Sequence, residues 1–248
     1  MMAETTMNEA PSSMNSIPEE PSAAAHASAS TVPPRSPPRT RYCYDLQVVS
    51  TEDDRASEIK LLSFKRPHMR AFHCSWLAFF CGFFLWFSAS PLLPEIQTSL
   101  NLSNSDIWIS TICGDICTLL IRIVLGPICD VYGARWPMGI VVSLGAIPAA
   151  LLGTAHTLGG LCVLRFLIGA LGATFVMSQS WVSRMFSSTV IGTANAVVAG
   201  WGNSGAFAAQ LIMGAFLFPV FRDALNDSDL AWRVIFVFPA IIAILVAV

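Results

Sequence analysis

Six apolar stretches separated by short polar breaks fill the sequence from Phe72 to Val248. They lie near Phe72 to Ile96, Ile107 to Cys129, Pro137 to Thr154, Leu158 to Trp181, Val190 to Phe218, and Trp232 to Val248. Each comes near the ~20 residues that a helix rising ~1.5 Å per residue needs to cross the hydrocarbon. Lipid cannot satisfy stray backbone N–H and C=O groups, so such segments must make their hydrogen bonds internally, as helices. A hydrophobic content of 54% against 12% charged residues, with a mean hydropathy of +0.61, exceeds what a soluble core of this size uses. The expected fold class is an all-α membrane protein, multi-pass in a lipid bilayer.

The sequence before these stretches has a different character. Up to about Lys60 it is rich in Pro, Ser, Ala and Thr and has little to bury, which predicts a disordered tail over 1–70 and a six-helix transmembrane bundle over 71–248. Ser36-Pro37, among Arg35, Arg39 and Arg41, is a candidate phosphorylation site. The N-terminus carries acidic residues and no apolar h-region, so no cleaved secretory signal is expected and the first span is expected to do the targeting.

Charge distribution sets the expected orientation. Lys60, Lys65, Arg66 and Arg70 precede the first span, Arg135 follows the second and Arg184 the fourth, whereas Gln97 to Asp106 and Ala155 to Gly159 carry no Lys or Arg. The positive-inside rule then puts the N-terminal tail in the cytoplasm. Arg222, set against Asp223, Asp227 and Asp229 in the fifth connection, weakens the contrast without reversing it. The last span stops at Val248 with no polar flank, so the last helix is expected to be incomplete and the chain truncated. Six helices with both ends cytoplasmic would form the N-terminal half of a larger transporter built from parallel repeats.

Several function classes fall away. The formal net charge is -2 and no dense basic stripe is present, so no nucleic-acid partner is expected. Seven cysteines occur without a CxxC or Cys/His spacing, so neither a metal nor a cofactor is expected. No nucleophile and base pair or phosphate loop stands at plausible positions, which argues against an enzyme and leaves no catalytic residue to name.

The chemistry that remains centres on Arg122, inside the second span, where a guanidinium costs ~2.5 to 3.5 kcal/mol on the insertion scale unless something compensates it. Thr118, Asp115 and Thr111 precede it at helical steps, predicting one polar stripe that faces an interior path rather than lipid. Asp115 stands seven residues away, about 10.5 Å along the axis, too far for side-by-side neutralisation. Arg122 would thus keep spare charge and a planar fork of donors suited to a small planar oxyanion. The alternative is an arginine held by carbonyls or by a carboxylate on another helix.

The fifth span has small residues at every fourth position, Gly192, Ala196, Gly200, Ser204 and Ala208, a face that would let another helix approach closely. Asn195, Ala199, Asn203 and Phe207 run beside it, with Gly202 and Gly205 thinning the backbone around Asn203. Glu95 reads as interfacial, and Arg165 in the outer half of the fourth span has no partner nameable from sequence. The aromatic residues Phe79, Phe80, Phe83, Phe84, Trp86 and Phe87 read mostly as packing.

Gly126-Pro-Ile-Cys-Asp130-Val-Tyr-Gly133-Ala-Arg135, between the second and third spans, resembles the loop motif of the major facilitator superfamily, and Arg165-Phe-Leu-Ile-Gly169 with Gly172 resembles its fourth-helix motif. Within that superfamily, Ala199-Gly200-Trp201-Gly202-Asn203-Ser204-Gly205 resembles the nitrate signature of the nitrate/nitrite porter family. Leu120-Ile-Arg122-Ile-Val-Leu-Gly126 is similar to that family's second helix. The resemblance implies that Arg122 binds the anion, that Asn203 lies near the substrate, and that Gly126, Asp130, Gly133 and Arg135 form a cytoplasmic gating contact. It also implies nitrate, and with it nitrite, as substrate, carried across the plasma membrane by proton symport. A second arginine would come from the missing C-terminal half. The alternatives are a facilitator of another small solute and a nontransporting nitrate-binding membrane sensor.

Overall fold

The computed structural model describes residues 46–49 and 54–247. Six helical spans are long and apolar enough to cross a membrane: His68–Ser99, Asn104–Tyr132, Arg135–Thr154, Leu158–Met185, Ile191–Leu225 and Ser228–Ala247. Ser36 and Cys43 lie outside the described residues.

The first span joins α1 (His68–Phe87) to α2 (Leu93–Ser99) through a short 3₁₀ turn at Ser90–Leu92. The second is a single helix, α3 (Asn104–Tyr132), which starts earlier than its apolar run because of a reciprocal cap. The Ser103 hydroxyl accepts from the Asp106 N–H at 3.2 Å, and the Asp106 carboxylate accepts from the Ser103 N–H at 2.9 Å, satisfying two orphan donors. Gly133 ends the helix with φ +76 and ψ 158, a conformation open essentially to glycine alone. The third span is α4 (Arg135–Ala150), continued by a 3₁₀ turn at Leu151–Thr154.

In the fourth span α5 (Leu158–Gly169) and α6 (Thr174–Met185) are joined by a 3₁₀ turn at Ala170–Ala173. The fifth runs from α7 (Ile191–Ala209) through a π-helical stretch at Gln210–Leu217 into α8 (Phe218–Leu225). The sixth comprises α9 (Ser228–Val234), capped by the Asp227 carboxylate, and α10 (Val237–Ala247).

The helix α1 is the hub, packed against α4, α6, α7 and α10, while α3 packs mainly on α5. One core of buried residues includes Leu85, Val142, Leu161, Ile168, Met213 and Trp232, and a second gathers Phe79, Phe83, Leu125, Met138 and Met177. At the end of the bundle opposite the arginine-rich flank of α1, Arg233 fastens the sixth span. It donates to the Gly153 and Ala155 carbonyls at 2.8 and 2.9 Å and to the Asp229 carboxylate at 2.9 Å.

Outward faces are apolar. Leu119, Ile123, Trp136, Phe207 and Leu245 are all exposed, as they can be when lipid or another apolar surface replaces water. The spans differ in how much they bury. Half of the apolar window is buried in the first and third spans, 50% each, against 28% in the second and 22% in the fifth.

One expectation is corrected here. The boundary of the tail at residue 70 moves: β1 (Val48–Val49) pairs antiparallel with β2 (Arg55–Ala56), and α1 begins at His68. Leu46 and Ala56 are buried with Phe72, Phe186 and Val198, and the Ser187 N–H donates to the Ala56 carbonyl at 2.9 Å. A few apolar residues in an otherwise polar stretch are enough to dock this segment on the ends of α1, α6 and α7.

Within this bundle, α7 also packs through a face other than its small-residue ladder. Gly192 and Gly200 have open space where a Cβ would stand, and Ala196 and Ser204 are exposed. Close approach occurs instead at Gly202, where a Cβ would meet the Phe79 ring at 1.8 Å, and at Gly205, where it would meet the Phe80 carbonyl oxygen at 2.2 Å. The Phe79 ring and the backbone at Phe80 decide which glycines α1 needs, and spacing within α7 cannot reveal that choice.

Candidate functional site

Arg122 lies near the middle of α3, ten residues before its end at Tyr132, or about 15 Å along the axis. Its side chain is half-buried and reaches across to the fourth span, where Nε and Nη2 donate to the Gly172 carbonyl at 3.2 and 2.8 Å. The 3₁₀ turn at Ala170–Ala173 presents that oxygen. Gly172 has no room for a side chain, since a Cβ would meet Thr118 at 2.5 Å and Trp86 at 3.0 Å. The guanidinium carbon also stands 5.9 Å from the centre of the Phe175 ring. Among the described residues no carboxylate forms an ion pair with Arg122.

A carbonyl and an aromatic face orient a guanidinium without cancelling its charge. The carbonyl-held alternative raised from the sequence is thus realised in part: one oxygen takes two donors, and Nη1 keeps its own. The anchoring carbonyl and Phe175 could not be named as partners from sequence, although Gly172 was already marked by the fourth-helix motif.

The polar stripe on α3 does not act as one surface. Thr118 is buried and donates to the Gly169 carbonyl at 2.6 Å and to its own Gly114 carbonyl at 3.2 Å. It serves the contact between α3 and α5, which is so close that a Cβ on Gly169 would stand 2.1 Å from the Gly114 oxygen. Thr111 and Asp115 instead line a separate cavity of about 270 Å³ with Arg165 and Trp86. Arg165 donates to the Ser110 hydroxyl at 3.1 Å, which supplies the partner that sequence could not. The expectation that Thr111, Asp115, Thr118 and Arg122 share one interior path is overturned, because α5 packs into the middle of the stripe.

Asn203 is exposed on α7, twelve residues after its start, about 18 Å along the axis and so at a depth comparable to that of Arg122. Its side-chain amide donates to the Ala199 carbonyl at 2.8 Å, one helical turn back. The two residues make no contact. An aromatic relay lies between them: Phe79, which fills the space above Gly202, meets Phe175 edge-on at 5.7 Å, and Phe175 lies under Arg122. Ala199, Gly200, Trp201 and Ser204 are exposed or half-exposed, and Gly202 and Gly205 alone of the signature segment are buried. Asn195, on the same row as Asn203, turns inward and donates to the Ser183 hydroxyl at 3.0 Å.

At the loop between the second and third spans, the Asp130 carboxylate accepts from Arg184 Nη2 at 3.1 Å, tying the end of α3 to the end of α6. Arg184 therefore joins the motif, a pairing for which the sequence offered no spacing signal. Gly126 has open space at its Cβ position, Gly133 forms the helix stop, and Arg135 lies 5.7 Å from the Trp136 ring.

A sequence profile described as Major Facilitator Superfamily matches residues 75–248. The chain belongs to the Major Facilitator Superfamily. It is a family of membrane transporters rather than enzymes. Among curated facilitators, the chain is 41% identical over 191 residues to high affinity nitrate transporter 2.5 of Arabidopsis thaliana, an alignment covering 76% of this chain and 38% of that protein. It is 32% identical over 214 residues to nitrate transporter 2.1 of Chlamydomonas reinhardtii, covering 84% of this chain and 37% of that protein. The nitrate/nitrite transporter NrtP of Picosynechococcus is 30% identical over 191 residues, with 70% and 36% covered. This facilitator chain thus spans less than half the length of these relatives.

Proposed function

We propose that the full-length protein is a secondary transporter of nitrate, accepting nitrite as well, which works by alternating access between two helical bundles. Arg122 is the anion-binding group in this reading. The observation that carries it is a guanidinium at mid-span whose protein partners are a single carbonyl and an aromatic ring, with no carboxylate to neutralise it among the described residues. Nitrate is small, planar and singly charged, and it matches the remaining N–H fork. The names of the similar facilitators point to the same substrate.

The second and fifth spans, which carry Arg122 and Asn203, bury the least surface within the bundle. In the proposed protein their outward faces meet the C-terminal half, which completes the binding site from the other side. Uptake is coupled to protons, and the protein resides in the plasma membrane with its N-terminus in the cytoplasm, in keeping with the basic residues that flank the first span.

The test is accumulation of labelled nitrate by the full-length protein in liposomes. The expected result is uptake that follows an imposed inward proton gradient, ceases when the gradient is collapsed, and is competed by nitrite. Uptake indifferent to the gradient would remove the coupling. Binding of nitrate without accumulation under any gradient would replace the transporter with a sensor.

A further inference from the structure

On α1, His73 is buried and bonded through both ring nitrogens. The indole Nε1 of Trp76, one turn further along, donates to Nδ1 at 3.0 Å, and Nε2 lies 3.0 Å from the Ser63 carbonyl oxygen. An indole N–H only donates and a carbonyl only accepts, so one arrangement satisfies both bonds, with Nδ1 bare and Nε2 carrying the proton. Phe64 stacks on the imidazole, the ring centroids 4.2 Å apart and the planes 23° from parallel. His68 Nε2 lies 2.9 Å from the Asp54 carbonyl oxygen, so the segment from Asp54 to Phe64 is held to α1 at two histidines one above the other. Trp76 extends this arrangement to the fifth span. Its ring meets Trp201 edge-on, with 5.3 Å between centroids and 77° between planes, and Phe72 meets the same ring at 6.2 Å and 73°. Trp201 stands immediately before Gly202, which Phe79 seats against α1, and two residues before Asn203.

From this chain of contacts we infer that His73 and Trp76 are positioning residues for nitrate binding: the bare Nδ1 of His73 fixes the Trp76 indole, and that indole fixes Trp201 and the turn of α7 that carries Asn203. The inference rests on the reading of Arg122 and Asn203 as the anion site, and both residues act through α7 rather than on the anion. An indole turns about two side-chain torsions, and edge-on ring contacts depend on orientation, so a hydrogen bond at Nε1 selects the one setting that meets Trp201. Every group involved belongs to α1, α7 or the docked segment before α1, and the arrangement is complete within them. The segment from Asp54 to Phe64 thereby gains a role: by holding Nε2 at Ser63 and covering the ring with Phe64, it keeps Nδ1 turned toward Trp76.

The test is nitrate uptake by the full-length protein in liposomes, with KM and maximal rate measured separately. Asparagine sets an acceptor oxygen where Nδ1 stands and glutamine sets its amide near Nε2, so H73N keeps the bond from Trp76 and H73Q loses it. The expected result is a KM raised about threefold or more in H73A, H73Q and W76F, as for the loss of one hydrogen bond between membrane helices, with the maximal rate held and H73N at the parental KM. W76F removes the donor and keeps a ring against Trp201, so it decides the matter if H73A does not fold. A second readout needs no solute: the fluorine resonance of Trp201 in protein labelled with 5-fluorotryptophan, assigned with W201F, is expected to move in H73A and H73Q and to stay in H73N. A parent that moves no nitrate while the resonance follows that pattern would sink the proposed solute and leave the positioning of Trp201 standing. A Trp201 resonance indifferent to H73Q, an H73N protein as weak as H73A, or a parental KM in W76F would each overturn the inference.

Discussion

The Arg122 guanidinium meets the Gly172 carbonyl through two donors at once, Nε at 3.2 Å and Nη2 at 2.8 Å. One oxygen thereby fixes the direction of the fork on α3 relative to the fourth span, and the charge stays available because a carbonyl is only a dipole. Gly172 is required at that point by packing, since Thr118 and Trp86 leave no space for a Cβ. Position of the arginine and shape of the helix contact are therefore one problem with one solution.

The α3–α5 contact should be the most sensitive to small changes. Gly169→Ala would drive a methyl group to 2.1 Å from the Gly114 carbonyl oxygen, with backbone rather than a flexible side chain in the way. Overpacking of this kind costs about 1 to 3 kcal/mol or more. Thr118→Val keeps the shape and loses the 2.6 Å bond to Gly169, for about 0.6 to 1.7 kcal/mol in a membrane setting. Thermal unfolding of the two variants in detergent should rank Gly169→Ala as the less stable, and the reverse order would show that the hydrogen bond, not the close approach, holds the helices.

On α7 two neighbouring glycines should behave in opposite ways. Gly200→Ala enters open space and gains helix propensity of up to about 1 kcal/mol, so its unfolding temperature should stay level or rise. Gly202→Ala collides with the Phe79 ring and should fall by several degrees. Equal behaviour of the pair would mean that α7 is turned the other way.

Much of this was readable in the sequence, and what was not has a common cause. The spans follow from apolar length, because lipid leaves the backbone one solution. Arg122 was legible as a candidate, since a charge in an apolar run is conspicuous on its own chain. Its partners were not: Gly172, Phe175 and, for Asp130, Arg184 come from other spans, and nothing in linear spacing reports which helix neighbours which. The same holds for Gly202, whose role is set by Phe79. The docked hairpin before α1 was missed because Leu46 and Ala56 are too few to form a periodic signal.

The Asp130–Arg184 bridge should matter little for stability. Both side chains are solvent-accessible, 75% and 42% exposed, and such pairs contribute roughly 0 to 1 kcal/mol. Asp130→Asn should therefore unfold within a few degrees of the parent while nitrate uptake by the full-length protein drops, as expected of a gating contact. A large loss of stability would reassign the pair to folding.

Gly133→Ala places a side chain at φ +76 and ψ 158, where about 1 to 3 kcal/mol of strain is expected. Gly126→Ala, in open space within α3, should be tolerated. Limited proteolysis at the loop between the second and third spans should distinguish the two, with faster cleavage in Gly133→Ala only.

The central claim is that Arg122 keeps its fork free for a visiting anion, and nitrate binding by Arg122→Lys in the full-length protein tests it most directly. Lysine retains the charge and loses the planar donors, so nitrate affinity should fall at least about tenfold, or about 1.4 kcal/mol, while unfolding temperature holds. Parental affinity in a folded Arg122→Lys protein would contradict the account and take Arg122 out of the site.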